Sequence, residues 1–182
     1  MIYVGNDRKI SDVLHINDKM NAFSNLNEEI ISYMNKVNPI TCVATSNQKV
    51  EIPDNNGRNI VLYFYPKDDT PGCTIEGNDF TALNESFTEK NTVIYGVSRD
   101  SINSHEKFKQ KFNYTIDLIS DEDESLCNQF DVIKLKKLYG KEYMGIVRST
   151  FVISSSGEIL KHWDKVKVDG HADEVLEFVS GL

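Results

Sequence analysis

A cysteine at the predicted start of a helix is the residue in this chain best suited to chemistry. Cys73 ends the segment 66–73, which reads PKDDTPGC. Threonine suits the N-cap of a helix and proline suits its first position, so Thr70 and Pro71 would place Cys73 in the first turn. Backbone N–H groups there lack intrahelical partners, and they stabilise a thiolate together with the positive end of the helix dipole. The spacing therefore predicts a reactive cysteine.

The elements that must position this cysteine are predicted to be alternating strands and helices. A run of six apolar residues at 60–65 predicts a buried strand that ends where the turn begins. Residues 134–146 are expected to form a loop. Further strands are predicted at 92–98, 116–119, 148–153 and 158–163, and helices at 73–87, 101–112, 124–130 and 171–179. This order predicts an α/β fold with a mixed central sheet flanked by helices.

The first 38 residues are predicted to be an N-terminal extension that precedes a domain at 39–182. Asn25 and Glu28 have the spacing of a capping box. An apolar stripe at helical spacing accompanies them and stops before Pro39; it consists of Leu26, Ile30, Met34 and Val37. The extension should therefore contain one short amphipathic helix, which either packs on the domain or frays, or else docks a partner or mediates dimerisation. The sequence does not decide between these two roles.

Composition fits one globular domain and argues against several classes of partner. A chain of 182 residues, 40% of them hydrophobic, can bury a single core. Its 20 Lys and Arg against 28 Asp and Glu give a net charge of −8, which disfavours nonspecific binding to nucleic acid or an anionic membrane. No apolar stretch approaches the roughly 20 residues of a membrane span, and no signal-peptide core is present. A reducing, cytoplasmic location is expected.

The three cysteines argue against a structural disulfide or metal framework. They are Cys42, Cys73 and Cys127, an odd number without the spacing of a zinc site. The histidines show no metal pairing either, and His105 is predicted to be structural. We therefore expect neither a metal nor another cofactor.

The turn and the cysteine resemble the peroxiredoxin signature Pro-x-x-x-Thr/Ser-x-x-Cys, matched here by Pro66, Thr70 and Cys73. The segments LYFYPK, which leads into this signature, and TIE, which follows it, are similar to sequences of the Q-type subgroup, also called bacterioferritin-comigratory proteins. Further similar segments follow in the family's order and read GVSRDS, SHEKF, LISD, YGKEYMGI and RSTFVI. The resemblance spans about residues 39–182. It implies a thioredoxin-like fold and the thiol-dependent reduction of hydrogen peroxide or organic hydroperoxides.

The resemblance also assigns roles to residues around Cys73. The family's threonine at the position of Thr70 bonds the peroxide. Arg148 matches the catalytic arginine, whose charged fork can hold both the thiolate and the peroxide oxygens. The backbone N–H groups of Gly72 and Cys73 would supply further donors, and Pro66 would shield the pocket from water. Such donors matter because a thiolate of low basicity is also a weaker nucleophile.

Glu76 follows Cys73 by one helical turn and would, on its own, oppose the formation of a thiolate. Its better interpretation is an anchor that orients Arg148. Each candidate also has a simpler interpretation. Glu76 would be a solvent-exposed helix residue, Arg148 a surface strand residue, Thr70 only a cap, and Cys73 a small buried hydrophobe.

The main departure from the family pattern lies five residues after Cys73. Many Q-type peroxiredoxins carry a resolving cysteine there, whereas this chain has Asn78. The other resolving position used in the family, in the helix around 104–111, also lacks a cysteine. Cys127 is predicted to be a packing residue, and the pattern attaches no role to Cys42.

We therefore expect a one-cysteine mechanism, in which Cys73 becomes sulfenic acid and an external thiol reduces it. Thioredoxin, glutaredoxin or glutathione would be the reductant, and the protein would be a monomer or weak dimer. Two alternatives stay open. One is an atypical two-cysteine cycle through Cys42 or Cys127, and the other is a noncatalytic redox sensor or binding module that uses Cys73 oxidation.

Overall fold

The computed structural model describes residues 35–138 and 140–182. The helix expected in the N-terminal extension, whose apolar stripe begins at Leu26, lies outside them. Val37, the last member of that stripe, is described and is buried. Its N–H donates to the carbonyl of Gly157 at 2.8 Å, within the compact unit 37–182. This residue therefore belongs to the edge of the domain core.

The described residues form a seven-stranded sheet, a separate two-stranded sheet and four α-helices. The strands are β1 (Ile40–Ala44), β2 (Gln48–Ile52), β3 (Asn59–Phe64), β4 (Thr92–Ser98), β5 (Asp117–Ser120), β6 (Ile133–Leu138), β7 (Lys141–Ile146), β8 (Ser149–Ile153) and β9 (Ile159–Trp163). The helices are α1 (Pro71–Glu89), α2 (Ile102–Phe112), α3 (Ser125–Gln129) and α4 (His171–Ser180).

The large sheet has the strand order β2-β1-β5-β4-β3-β8-β9. Strands β3, β4 and β5 run parallel to one another, and the other neighbouring pairs are antiparallel. The prediction of a mixed sheet flanked by helices is confirmed. The strands and helices predicted from residue 60 onward all occur, with their ends shifted by at most two residues. The sequence analysis assigned no range to β1 or β2.

The central strand β3 is buried on both faces, as its unbroken apolar sequence predicts. Ile60, Leu62 and Phe64 pack into one core, which also contains residues of α3; we call this the α3 face. Val61 and Tyr63 point the other way, into a core with residues of α1, α2 and α4, which we call the α1 face. The alternation along β3 therefore divides the interior into two cores.

The prediction of a loop at residues 134–146 is wrong, because this segment forms the antiparallel strand pair β6–β7. Gly140, with a φ of 79°, lies in the turn between the strands. Most of the hairpin is exposed, and its buried end is Ile146, which pairs with the half-buried Ile133. In β6 the alternation Ile-Lys-Leu-Lys covers only four residues before Lys137 breaks it, and β7 shows no apolar alternation.

Helix α1 begins at Pro71, with Thr70 in the extended N-cap conformation, so the predicted start is confirmed. Cys73 lies in the first turn. Behind this turn the Tyr114 hydroxyl donates to the carbonyl of Thr74 at 3.2 Å. The Tyr114 ring covers Gly77, where a Cβ atom would come within 2.5–2.8 Å of ring atoms. The absence of a side chain at residue 77 therefore lets Tyr114 pack on the helix.

Replacing Gly77 by alanine should destabilise the domain. Alanine in a helix normally gains about 0.5–1 kcal/mol over glycine, but the added methyl would overpack against Tyr114 at a cost of about 1–3 kcal/mol. Tyr114 is buried, packs edge-to-face against Phe108 and stacks on Phe112, so it has little room to move. Urea denaturation measures the change. The neighbouring exposed substitution Asn78→Ala is the matched control and should be neutral or stabilising; equal effects of the two variants would contradict this account.

Candidate active site

Strand pairing brings Arg148 to Cys73 although 75 positions separate them. Arg148 directly precedes β8, and β8 runs antiparallel to β3 with Ser149 opposite Phe64. The chain leaves β3 at this same edge to enter the loop before α1. The Arg148 Nη2 atom lies 3.2 Å from the Cys73 Sγ atom, within hydrogen-bonding distance. Spacing along the sequence could not have shown this contact.

Glu76 holds the other side of the same guanidinium. Arg148 Nη1 donates to Glu76 Oε2 in a close ion pair. The Glu76 side chain is 1% exposed and that of Arg148 15%, so both surface interpretations are wrong. Cys73 itself is 2% exposed and lies on the α1 face. The structure thus brings Cys73, Glu76 and Arg148 together in a buried cluster.

Burial and charge act in opposite directions on this cluster. Burial raises the pKa of Glu76 above its usual range, and the positive charge of Arg148 opposes that rise. Burial alone would lower the pKa of Arg148, but the charges of Glu76 and Cys73 raise it above its ordinary value. The guanidinium therefore stays charged at every pH at which the protein folds. It presents one permanent cation to the sulfur atom.

Gly72 lies where the guanidinium approaches the helix. A Cβ atom at this position would be 3.3 Å from Arg148 Nη2, which is tighter than an ordinary contact. The lack of a side chain leaves space for Arg148 beside the first turn of α1. The sequence suggested only a backbone donor here, and the signature contained no signal for this second, steric requirement.

Thr70 and Pro66 occupy the loop that leads to Cys73. The Thr70 hydroxyl does not cap the helix; it donates to the carbonyl of Lys67 at 3.1 Å. Thr70 is half-buried, whereas Pro66 is exposed at the start of the loop. The interpretation of Thr70 as only a side-chain cap is therefore wrong.

Sequence reasoning missed the acidic residue that anchors this loop. Asp68 is buried and bonded to Tyr65, Ser104 and His105, whereas its neighbour Asp69 is exposed. Two adjacent aspartates in a turn give no pattern that separates a buried one from an exposed one. Only the packing of α2 against the loop distinguishes them.

The described part of the chain was also searched for metal-binding clusters and membrane-spanning helices. Among residues 35–138 and 140–182, no three His, Cys, Asp or Glu side chains are grouped so that they could hold a metal ion. Over the same residues, no helix has the length and hydrophobicity required to cross a bilayer.

Comparison with known proteins shows the family to which this chain belongs. The model of the AhpC/TSA family matches residues 34–162. Peroxiredoxin Bcp of Xanthomonas campestris is 55% identical over 120 residues, which are 66% of this chain and 75% of that protein. The chain belongs to the peroxiredoxin family. Peroxiredoxin Bcp of Bacillus subtilis is 53% identical to this peroxiredoxin over 135 residues, 74% of this chain and 86% of that one.

Solved structures give the same result for the fold. Peroxiredoxin Q of Xanthomonas campestris superposes with a TM-score of 0.74 at 46% identity, covering 78% of this chain and 90% of that one. Peroxidoxin BcpB of Mycobacterium tuberculosis superposes with a TM-score of 0.71 at 28% identity, covering 81% and 95%. The predicted thioredoxin-like peroxiredoxin fold and the Q-type resemblance are confirmed, and the protein is a thiol peroxidase.

Replacing Arg148 by methionine should destabilise this peroxiredoxin most strongly above neutral pH. Methionine keeps an apolar stem but leaves Glu76 buried without its partner, which costs up to about 3–5 kcal/mol when the carboxylate is charged. Burial already raises the pKa of Glu76 to about 7 in the wild-type protein, and loss of the neighbouring cation raises this pKa further. The two folded states therefore differ in the charge of Glu76 only above about pH 7, so the loss is small near pH 4.5 and grows as the pH rises through 7. Urea denaturation at pH 4.5 and 8.5 measures this difference.

The double variant Glu76→Gln/Arg148→Met is the control, because it removes the buried acid together with its partner. Since no carboxyl is left to ionise at residue 76, it should not show the additional loss of stability that Arg148→Met shows at pH 8.5. An equal loss for Arg148→Met at pH 4.5 and 8.5 would show that the uncompensated carboxylate is not the cause.

Proposed function

We propose that this peroxiredoxin reduces hydrogen peroxide and organic hydroperoxides through Cys73 by a one-cysteine mechanism. The observation that carries the proposal is the guanidinium of Arg148, 3.2 Å from the Cys73 sulfur and anchored by Glu76. In the proposed step the thiolate attacks one peroxide oxygen, an S–O bond forms and the O–O bond breaks. The leaving oxygen takes a proton and departs as water or an alcohol, while Cys73 becomes sulfenic acid.

The proposed roles follow from where charge moves in this step. Negative charge passes from sulfur to the leaving oxygen, so donors that face the leaving oxygen lower the barrier. Arg148 supplies a permanent positive charge and several N–H groups in one plane. Thr70 and the N–H groups of Gly72 and Cys73 supply further donors at the start of α1. Release of the Thr70 hydroxyl from the Lys67 carbonyl would free it for the peroxide.

A relative with a similar structure supports including organic hydroperoxides among the proposed substrates. The Xanthomonas campestris bacterioferritin comigratory protein, 46% identical to this chain with a TM-score of 0.74, has alkyl peroxide reduction activity. We propose the same class here, together with hydrogen peroxide. Pro66 lies at the start of the loop, where it would limit the access of water to the sulfur.

Replacing Cys73 by serine should abolish peroxide turnover while the fold survives, because the change is nearly isosteric. Peroxide consumption with excess dithiothreitol is the measurement. The wild-type protein should consume many equivalents of peroxide, whereas a redox sensor would consume about one. Activity of Cys73→Ser within about threefold of the wild-type protein would contradict the role of Cys73 as nucleophile.

Two observations support a one-cysteine mechanism. Cys42 and Cys127 lie in the core of the α3 face, while Cys73 lies in the core of the α1 face, so the sheet separates them. Burial, together with the charges of Asp121 and Asp123, also raises the pKa of Cys42 to about 12. Burial and Asp121 raise the pKa of Cys127 well above its usual range. Both thiols stay protonated and are poor nucleophiles.

The family position for a resolving cysteine is occupied by Asn78, which is exposed on α1. An external thiol would therefore reduce the sulfenic acid, and thioredoxin, glutaredoxin or glutathione in a cytoplasmic setting would supply it. We propose that the protein acts as a monomer or weak dimer. The segment 1–38 is proposed to be an extension outside the catalytic domain 39–182.

Stoichiometric peroxide without added thiol should yield sulfenic acid at Cys73 and no intramolecular disulfide. A bridge from Cys73 to Cys42 or Cys127 would require Cα atoms within about 7 Å, which the intervening sheet opposes. Mass spectrometry of trapped peptides detects either product. The matched control is Cys42→Ser/Cys127→Ser, which should keep near-wild-type turnover with dithiothreitol. A disulfide that forms as fast as the sulfenic acid disappears would replace this mechanism with a two-cysteine cycle.

A further inference from the structure

The loop between β3 and α1 is fixed from behind by the buried carboxylate of Asp68. The Tyr65 hydroxyl donates to it at 2.8 Å and the Ser104 hydroxyl at 2.7 Å, and His105 Nδ1 lies within hydrogen-bonding distance at 2.9 Å. The Asp68 N–H donates to Asp100 Oδ2, also at 2.8 Å. Both the side chain and the backbone of Asp68 are therefore held by neighbouring elements.

Both ring nitrogens of the fully buried His105 face hydrogen-bond acceptors. Its Nε2 atom lies 3.1 Å from the carbonyl oxygen of Ile119, which can only accept. Its Nδ1 atom lies 2.9 Å from Asp68 Oδ2. Burial would raise the pKa of Asp68, but the hydrogen bonds with His105, Ser104 and Tyr65 lower it below its usual range, which favours the ionised carboxylate. The geometry thus presents an acceptor to each nitrogen of the ring.

The groups around this pair come from four elements. Tyr65 follows β3, Ser104 belongs to α2, the Ile119 carbonyl belongs to β5, and Asp100 follows β4. Asp100 is itself held by the Ser98 hydroxyl at 2.8 Å. Hydrogen bonds to these elements thus fix the loop at Asp68, ahead of the segment that leads to Cys73.

This geometry bears directly on the reacting groups. Asp68 lies two residues before Thr70 and five before Cys73. The Thr70 hydroxyl donates to Lys67, the residue directly before Asp68. A displacement of Asp68 would therefore move the loop that carries Thr70 and the entry to α1.

The next residue, Asp69, makes a different ion pair. It contacts Lys111 at 2.7 Å, and the two side chains are 52% and 57% exposed. Exposed pairs of this kind contribute little to stability or alignment. Asp69 therefore offers a control in the same loop with the same chemical change.

We propose that the buried Asp68–His105 ion pair is a positioning device, which holds the β3–α1 loop so that Thr70 and Cys73 are aligned for peroxide. The inference rests on the proposed roles of Thr70 and Cys73 and adds two residues that touch neither the sulfur nor the peroxide.

The test compares two reactions of the same sulfur. Misalignment by about 1 Å costs on the order of 100-fold in rate, so Asp68→Ala should slow the oxidation of Cys73 by peroxide about 10- to 100-fold. Alkylation of Cys73 by iodoacetamide needs no alignment with an O–O bond and should be no slower than in the wild-type protein. Asp68→Asn should show an intermediate loss of the peroxide rate, and Asp69→Asn should match the wild-type protein in both reactions.

A spectroscopic measurement tests the ion pair itself. Nitrogen NMR of the His105 ring in the wild-type protein at pH 7 should show both nitrogens protonated. In Asp68→Asn the amide can donate to Nδ1, so only Nε2 should keep its proton. A loss of stability alone would not change which ring nitrogens of His105 are protonated.

Several results would overturn the inference. One is a neutral His105 ring in the wild-type protein, and another is a peroxide rate of Asp68→Ala within about threefold of that of Asp69→Asn, far from the loss expected for misalignment. If Asp68→Ala does not fold, an unchanged peroxide rate of Asp68→Asn overturns it equally. If instead wild-type Cys73 does not react with peroxide, the proposed function fails, and the NMR result still decides whether the ion pair exists.

Discussion

The active site depends on one buried cation that serves two acceptors. The Arg148 guanidinium lies between the Glu76 carboxylate and the Cys73 sulfur. Its N–H groups form a rigid plane, so it can donate to both groups at once without changing its rotamer. A carboxylate removed from water must be paired, and here the charge that pairs it is the one that faces the sulfur. The stability of the buried acid and the polarity of the site thus have the same physical origin.

The sheet supplies the alignment that this cation needs. Strand β3 ends at the edge where β8 begins, because the two strands are antiparallel, and β4 ends at the same edge, because it is parallel to β3. The loop before α1, Arg148 and Asp100 are consequently gathered at one edge of the sheet. A shift of one residue in the β3–β8 register would turn Arg148 to the opposite face. The alignment is therefore a property of strand pairing and not of the loop alone.

Much of this could be predicted from sequence, for identifiable reasons. Strand β3 follows from its unbroken apolar run, and the start of α1 follows from Thr70 and Pro71, since both signals are local. The β6–β7 hairpin was missed because its strands are mostly exposed, the alternation in the lysine-rich β6 is short, and β7 has none. The burial of Asp68 was missed because it depends on Tyr65, Ser104 and His105, which adjoin it only in the folded chain. Local signals predict elements, whereas the polar partners inside the fold come from tertiary packing.

The separation of the three cysteines between two cores has a consequence for the lifetime of the enzyme under the proposed one-cysteine mechanism. Because a sheet lies between Cys73 and the other two thiols, neither of them would protect the oxidised sulfur by forming a disulfide. External thiols and further peroxide would then compete for the sulfenic acid. The number of catalytic cycles before inactivation would depend on the relative rates of these two reactions, so the sheet would make the lifetime of the enzyme respond to the surrounding redox balance.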